Sequence, residues 1–215
     1  MSSREITVKG VGKTTVKPDL IILNMNLEVS EPEYEATMRR STEDLDLLRA
    51  AIVSAGHDGK DLKTVSFNIN TKYESYRDED EWKQRFVGYT CSHALKLAFD
   101  LNIPILGTTL NAIAGCEANP DYNIKFTIKD PSAVSATLLE NAIENATGKA
   151  AILAKSADVK LGAIQRIDYN WSDIHLHSET KMCMDMMEAH TPMAIDIEPE
   201  DINVNDSVTV VWAIE

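Results

Sequence analysis

The sequence is poor in the features that mark several large protein classes. Its three cysteines, Cys91, Cys116 and Cys183, form an odd and sparse set that does not indicate a disulfide framework. No apolar run reaches the roughly 18–20 residues that a membrane-spanning helix needs. The opening MSSREITV also lacks the apolar core of a secretory signal peptide. We therefore expect a reduced, soluble, cytoplasmic protein without a membrane partner.

Positive charge is scarce as well. Lys and Arg number 21 against 34 Asp and Glu, and the formal net charge is −13. Proteins that bind nucleic acid neutralise phosphates with clustered Lys and Arg, so we expect no nucleic-acid partner. The 215 residues are enough for one domain or two small ones with a real hydrophobic core.

Hydrophobic patterns occur in a defined order along the chain. Apolar residues that alternate with polar ones predict strands at 6–8, 21–29, 65–69, 87–99, 122–128, 167–171 and 208–214. Spacings of three and four predict helices over 31–55, 103–116 and 130–157. This order predicts an α+β fold, a two-layer sandwich of mainly antiparallel sheet with helices on one face. We expect one domain over 4–215, with subdomains 4–100 plus the C-terminal strands, and 101–172.

The segment Lys9–Thr14, KGVGKT, resembles a phosphate-binding loop. A Walker loop requires a glycine five residues before the Gly-Lys-Thr, and Thr7 occupies that position. Such a loop must also open a helix, whereas Thr15 and Val16 are β-branched and Pro18 disfavours helix at Lys17. We expect a glycine-bearing strand junction at Gly10 and Gly12, and no nucleotide or other cofactor.

Four stretches resemble one known family in the same order and at similar spacing. They are ITVKGVGKTTVKPDLIILNMNLEV (6–29), VGYTCSHALKLAF (87–99), NIKFTIKDPSAV with ATGKAAILAKSADVKLGAI (123–134 and 146–164), and DINVNDSVTVVWAI (201–214). Together they resemble SIMPL-domain proteins over nearly the whole chain. The resemblance implies a two-part α+β structure and, in some members, ring-like or channel-like oligomers. Members include periplasmic immunogenic proteins and stress-linked bacterial proteins of unclear function, and the family supplies no established catalytic residues.

Two groups of residues suggest chemistry. Cys91 and His93 share one face of a predicted strand, so they are neighbours by geometry. We interpret His93 as a core histidine in preference to a catalytic base. The stretch HLHSETKMCMDMMEAH contains His175, His177, Cys183 and His190. Thioether, thiolate and imidazole groups suit copper(I) or zinc. Nearby methionines are Met182, Met184, Met186 and Met187.

The spacing of this Met/Cys/His stretch matches no established zinc pattern. A variable connecting loop or a methionine-lined subunit contact is the simpler interpretation. We therefore expect a non-enzymatic, self-associating homo-oligomer with a scaffold or stress-related role. The alternative is a soft-metal-binding or redox-active protein that uses residues 175–193. A hydrolase has no supporting constellation in the sequence.

Overall fold

A computed structural model describes residues 4–78, 81–169, 176–178, 180 and 197–215. In chain order, its elements are β1 (Glu5–Val16), β2 (Leu20–Glu31), α1 (Tyr34–Ser54), β3 (Lys63–Asp78), β4 (Glu81–Asp100), α2 (Ile103–Ala114), β5 (Asp121–Thr127), α3 (Pro131–Ser156), β6 (Leu161–Tyr169) and β7 (Ile202–Ile214). The strands form two antiparallel sheets, which confirms the predicted α+β class.

The chain divides into two compact units. Unit 1 comprises Met1–Asp19, Thr127–Glu179 and Pro199–Glu215, and unit 2 comprises Leu20–Phe126 and Thr180–Glu198. These boundaries differ from the expected subdomains, which were 4–100 together with the C-terminal strands, and 101–172. The reason is strand pairing: β1 pairs with β7 along its whole length, while β5 lies beside β2 in the other sheet.

Unit 1 contains the sheet β1-β7-β6 and helix α3. The helix begins after Asp130, whose carboxylate accepts a hydrogen bond from the Ser132 N–H at 3.0 Å, and Pro131 fits the first helical turn. Buried small and aliphatic residues at spacings of four run along one face of α3. They are Val134, Leu138, Ala142, Ala146, Ala150 and Ala154.

Glycines in β1 let α3 lie directly against the strand backbone. A Cβ atom at Gly10 would lie 2.0 Å from the Ala142 carbonyl oxygen, and one at Gly12 would lie 1.9 Å from that of Leu138. The sequence led us to expect a strand junction at Gly10 and Gly12, and this expectation is wrong. They lie inside one continuous strand, where only glycine leaves room for the helix.

The same close approach covers the outer edge of β1. Three polar side chains of α3, spaced four residues apart, bond to the strand backbone. Asn141 donates to the Lys13 carbonyl at 3.0 Å, Asn145 accepts from the Val11 N–H at 3.0 Å, and Lys149 donates to the Lys9 carbonyl at 3.1 Å. A step of four residues along the helix thus spans the same length as two residues along the strand. The N–H and C=O groups at the edge of β1, which would otherwise be unpaired, gain partners.

Unit 2 contains the sheet β3-β4-β2-β5 with helices α1 and α2. Its core joins the inward residues of β2 to large aliphatic residues of α1, including Leu48 and Ile52. Helix α1 ends at Ser54, close to the predicted end at 55, and Gly56 just beyond it has a φ of +98° that favours glycine. Helix α2 is capped by Asn102, whose side chain accepts from the Ile105 N–H at 3.1 Å.

The β3–β4 hairpin is longer than the sequence suggested. Strands were predicted at 65–69 and 87–99, but β3 continues to Asp78 and β4 starts at Glu81. Tyr73 lies opposite Phe86 and Arg77 lies opposite Trp82 in the register. Two strands therefore carry side chains that lay outside the predicted strands.

Candidate functional site

A row of aromatic side chains runs along one face of the β3–β4 hairpin in unit 2. Tyr34 meets Tyr89 with ring centroids 5.6 Å apart, Tyr89 meets Phe86 at 5.3 Å, and Phe86 meets Tyr73 at 5.8 Å. All three contacts are edge-to-face, an arrangement that aromatic quadrupoles favour. We call these four residues, together with Trp82, the aromatic ladder.

Trp82 extends the ladder toward the hairpin tip. It is four residues from Phe86 on the same strand, and residues an even number of positions apart in a strand lie on the same face. Its side chain is 75% exposed, while Tyr73 and Phe86 are about half exposed at 55% and 48%. A row of large exposed apolar groups is typical of a surface that binds another molecule.

A β-bulge assembles the ladder. The register shifts so that Lys72 lies opposite Gly88 but Tyr73 lies opposite Phe86. Gly88 has a φ of +142°, and a Cβ there would lie 2.2 Å from the Glu31 carbonyl oxygen. Because the bulge adds a residue, Phe86 and Tyr89 point to the same face although they are three apart in sequence.

The opposite face of the hairpin is charged. Arg85 pairs with Glu74 at 3.1 Å and its guanidinium lies 5.7 Å from the ring centre of Tyr76. Lys83 pairs with Asp78 at 2.6 Å. The hairpin is thus amphipathic, with the aromatic ladder on one side and exposed ion pairs on the other.

Cys91 and His93 lie beneath α1. Cys91 is buried, and its thiol donates to the Ser41 hydroxyl at 3.3 Å. The Nε2 atom of His93 bonds to the Thr64 hydroxyl at 2.8 Å, and the ring meets Phe67 edge-on. Burial, together with the nearby Arg49 charge, lowers the pKa of His93. Each side chain has its own partner, and both are buried.

His57 connects the loop after α1 to helix α2. Thr109 donates its hydroxyl proton to the Ile105 carbonyl at 2.7 Å, so the His57 Nε2–H must donate to the Thr109 oxygen, also at 2.7 Å. Burial lowers the pKa of His57, although Asp61 opposes the shift. This histidine has a structural role in the packing of α2.

The predicted metal ligands are described only in part. His177 pairs with Thr127 in an isolated antiparallel bridge, and the Thr127 hydroxyl donates to the Leu176 carbonyl. His175, Cys183 and His190 lie outside the described residues, as do Met182, Met184, Met186 and Met187. No group of three His, Cys, Asp or Glu residues that could hold a metal occurs in the described part of the chain. The metal-site hypothesis stays a prediction.

Comparison with known proteins settles the family. The SIMPL model, described as "Protein of unknown function (DUF541)", matches residues 6–212. The chain belongs to the SIMPL family. Two relatives are each 26% identical over 212 residues, which span 98% of this chain and 84% of the relative. Both are named "26 kDa periplasmic immunogenic protein", one from Brucella melitensis biotype 1 and one from Brucella abortus strain S19.

The relatives overturn the cytoplasmic prediction. That prediction rested on the opening residues and on the few cysteines, and both relatives that share this SIMPL domain are named as periplasmic. A domain with free, buried cysteines such as Cys91 and Cys116 is compatible with an oxidising compartment, because burial shields thiols from reaction. Among the described helices, none combines the length and apolarity required to cross a membrane.

Sequence reasoning missed the aromatic ladder. The signal was present: five aromatic residues fall within 73–89, in a chain with 6% aromatics. Phe86 lies outside the strand predicted at 87–99, and strict alternation from Tyr89 assigns it to the opposite face, because alternation carries no information on the bulge.

Proposed function

We propose that this SIMPL protein is a non-enzymatic, self-associating scaffold protein of the periplasm, and that copies of the chain meet through the β3–β4 hairpin. The observation that carries the proposal is the exposed aromatic ladder on an amphipathic hairpin. The periplasmic location follows by analogy from the names of the two Brucella relatives. Self-association is proposed because the resemblance to the family implies ring-like or channel-like oligomers in some members.

The area of the ladder suits a protein interface. Tyr34, Tyr73, Trp82 and Phe86 are between 48% and 75% exposed. Since an aromatic side chain offers about 150–250 Å², they present on the order of 400–500 Å² of apolar surface. A stable interface buries about 800 Å² per partner, so the ladder supplies about half of one.

The edge of β3 supplies further contact. β3 is the outer strand of its sheet, and 15 of its 16 residues are exposed. An exposed edge offers unpaired N–H and C=O groups to another strand. A second copy presents the same strand and the same ladder, so a two-fold interface matches each group with its equivalent.

Burial of the reactive side chains supports a non-enzymatic role. Cys91 is 1% exposed and His93 is 5% exposed, and α1 covers the sheet face that carries them. A nucleophile and base must reach a substrate within hydrogen-bond distance, and this arrangement gives a substrate no path to either.

The test compares the mass in solution of the full chain and of a Trp82→Ser, Phe86→Ser double variant. We expect multi-angle light scattering and native mass spectrometry to report an oligomer for the wild type. The double variant should dissociate to monomer at a protein concentration at least about tenfold higher than the wild type does. The matched control is Ile152→Ser, which removes an exposed apolar residue, 67% exposed, from unit 1. A wild-type monomer at high micromolar concentration, or equal masses for both variants, would refute the proposal.

A further inference from the structure

The hydrophobic core of unit 2 reaches only the second half of α1. Four residues of the helix belong to that core or pack against it, namely Leu45, Leu48, Ala51 and Ile52, and none of the described residues from Tyr34 to Asp44 does so. We call this first half, Tyr34–Asp44, the flap. A helix in a protein owes most of its stability to an apolar face that packs on the core, so the flap lacks the main support of the second half.

The buried side chains of the flap are polar. Thr37, Ser41 and Asp44 are 0%, 3% and 6% exposed on the buried face of the helix. The Thr37 hydroxyl donates to the Glu33 carbonyl at 2.9 Å, four residues back along the chain. Asp44 pairs with Arg40, one turn earlier, at 3.1 Å. These two side chains thus bind their own helix, and their polar groups do little to hold it on the sheet.

The flap has few links to the sheet beneath it. Among the described residues, one side-chain hydrogen bond joins the two: the Cys91 thiol, a weak donor, donates to the Ser41 hydroxyl at 3.3 Å. A second link is at the start of the helix, where Tyr34 meets Tyr89 edge-on and stays 49% exposed. The helix also begins without a side-chain cap, since Glu33 makes no capping hydrogen bond. The flap is therefore held less firmly than the rest of α1.

We propose that the flap opens by local unfolding and uncovers a strip of the sheet beside the aromatic ladder. Under the closed flap lie Cys91 and, opposite it in the register, Val29, which are 1% and 6% exposed. Their exposure extends the apolar face of the ladder, because Tyr89 is two residues from Cys91 on the same strand. Local opening is favoured where buried apolar contacts are few. Leu48 and Ile52, both fully buried, keep the second half of α1 in place.

The flap gives the aromatic ladder two forms. In the closed form Tyr34 completes the ladder, and in the open form Tyr34 leaves it with the flap. Since the proposed interface between copies includes Tyr34, a second copy binds the closed form and stabilises it, a coupling that rests on the proposed function. A partner that prefers one form shifts the population toward that form. The flap should therefore open more often in a single chain than in an assembled one.

Thiol labelling of the full chain measures the opening. The protein is treated with iodoacetamide at a concentration where light scattering reports monomer, and mass spectrometry of peptides follows Cys91 and Cys116 separately. Cys116 lies in the core of unit 2 and is 8% exposed, more than Cys91 at 1%. Static exposure thus predicts slower labelling of Cys91, whereas the flap predicts labelling at least about tenfold faster. The Cys91 rate should also depend only weakly on urea, because local opening exposes little surface.

Two threonine substitutions in α1 separate opening of the flap from general effects on the helix. Thr37→Val replaces a buried hydroxyl by a methyl group and should slow labelling of Cys91 at least about threefold, since more apolar surface packs on the sheet. Thr42→Val is the matched control. The Thr42 hydroxyl makes the same kind of bond, to the Met38 carbonyl at 3.0 Å, but its side chain is exposed. This variant should be labelled like wild type.

Protein concentration tests the coupling to assembly. Labelling of Cys91 should slow in samples that light scattering shows to be assembled, and an unchanged rate in such samples would overturn the coupling. Labelling of Cys91 no faster than that of Cys116, a steep dependence on urea, or equal slowing by Thr37→Val and Thr42→Val would overturn the flap itself. A chain that is monomeric at every concentration would refute the proposed function and the coupling together, while the rates in the monomer still decide whether the flap opens.

Discussion

The two sheets end in edge strands of opposite character. In unit 1 the outer edge of β1 is covered, because Asn141, Asn145 and Lys149 of α3 bond to its backbone. In unit 2 the outer strand β3 is exposed along nearly its whole length. The β1 edge of one sheet is therefore covered within the chain, whereas the β3 edge of the other sheet and its aromatic face stay available.

The difference originates in the size of the packing residues. Unit 1 packs Gly10 and Gly12 against the alanine face of α3, so the helix backbone comes close enough for short polar side chains to reach the strand. Unit 2 packs large residues such as Leu48 and Ile52 against its sheet. Large side chains hold a helix farther away, about 10 Å or more from the strands, and cannot cover an edge in this way.

Replacing one glycine should remove the covered edge of unit 1 and have the largest effect. In Gly12→Ala the new Cβ would lie 1.9 Å from the Leu138 carbonyl oxygen, so helix and strand must separate. We expect a loss of more than about 3 kcal/mol in the free energy of unfolding, measured by urea denaturation.

A glycine without a close neighbour provides the control for this substitution. Gly107 lies inside α2, and a Cβ there would meet nothing within 4 Å. Gly107→Ala should raise stability by about 0.5–1 kcal/mol through helix propensity. A Gly12→Ala protein as stable as wild type would show that α3 does not depend on backbone contact.

Acid should distinguish the units by a smaller, graded effect. His93 has a pKa below its ordinary value because of burial and then Arg49, so it is neutral in the fold and binds a proton more readily when unfolded. Stability of unit 2 should therefore be intact above pH 6.5 and decline as the pH falls below it, toward the lowered pKa of the folded state. Hydrogen exchange of β4 amides, corrected for the intrinsic pH dependence, measures this decline.

The His93→Gln variant tests whether the histidine is responsible. It should have lower stability at pH 7.5 and a smaller decline between pH 6.5 and 5.5 in β4, and the decline that remains belongs to His57 of the same unit, whose pKa burial also lowers. Exchange in α3 of unit 1 should show no such decline in either protein. An equal acid response in α3 and β4 would contradict the assignment to His93.

The smallest effect on stability is expected at the open edge of β3. Asn70 is exposed in the middle of that strand, so Asn70→Lys should change the free energy of unfolding by no more than about 0.5 kcal/mol. In an assembly of identical chains the introduced lysines repel each other, and we expect weaker association by sedimentation velocity. Asn70→Gln serves as the neutral control. Unchanged association of the lysine variant would place the interface away from this edge.

Sequence patterns predicted where the helices and strands lie better than they predicted which residues of those elements are in contact. Alternation located β2 and the inner part of β4, because their residues face a core on one side only. It failed at Gly10 and Gly12, where the missing side chain makes room for Ala142 and Leu138 of a helix distant in sequence and does not mark a strand junction. It failed again at Gly88, where a bulge shifts the face of every preceding residue.

The candidate sites depend on tertiary structure to different degrees. Four of the five residues of the aromatic ladder lie on one hairpin, and knowledge of the bulge would have revealed them in the sequence, whereas Tyr34 joins them from α1. The contacts of Cys91 with Ser41 and of His93 with Thr64 instead join β4 to α1 and to β3. Such contacts have no sequence period, since they form only after α1 has packed on its sheet.

The pairing of β1 with β7 also sets an order in which the units can form. Glu5 lies opposite Ala213, so the sheet of unit 1 joins the two ends of the chain. Its strands cannot pair until almost all 215 residues are available, whereas β2, β3, β4 and β5 of unit 2 are complete by residue 127. Because pairing of distant segments is slow, β1 must wait as an unpartnered strand while unit 2 folds. During that interval the backbone N–H and C=O groups of β1 have no strand partner and are open to premature association.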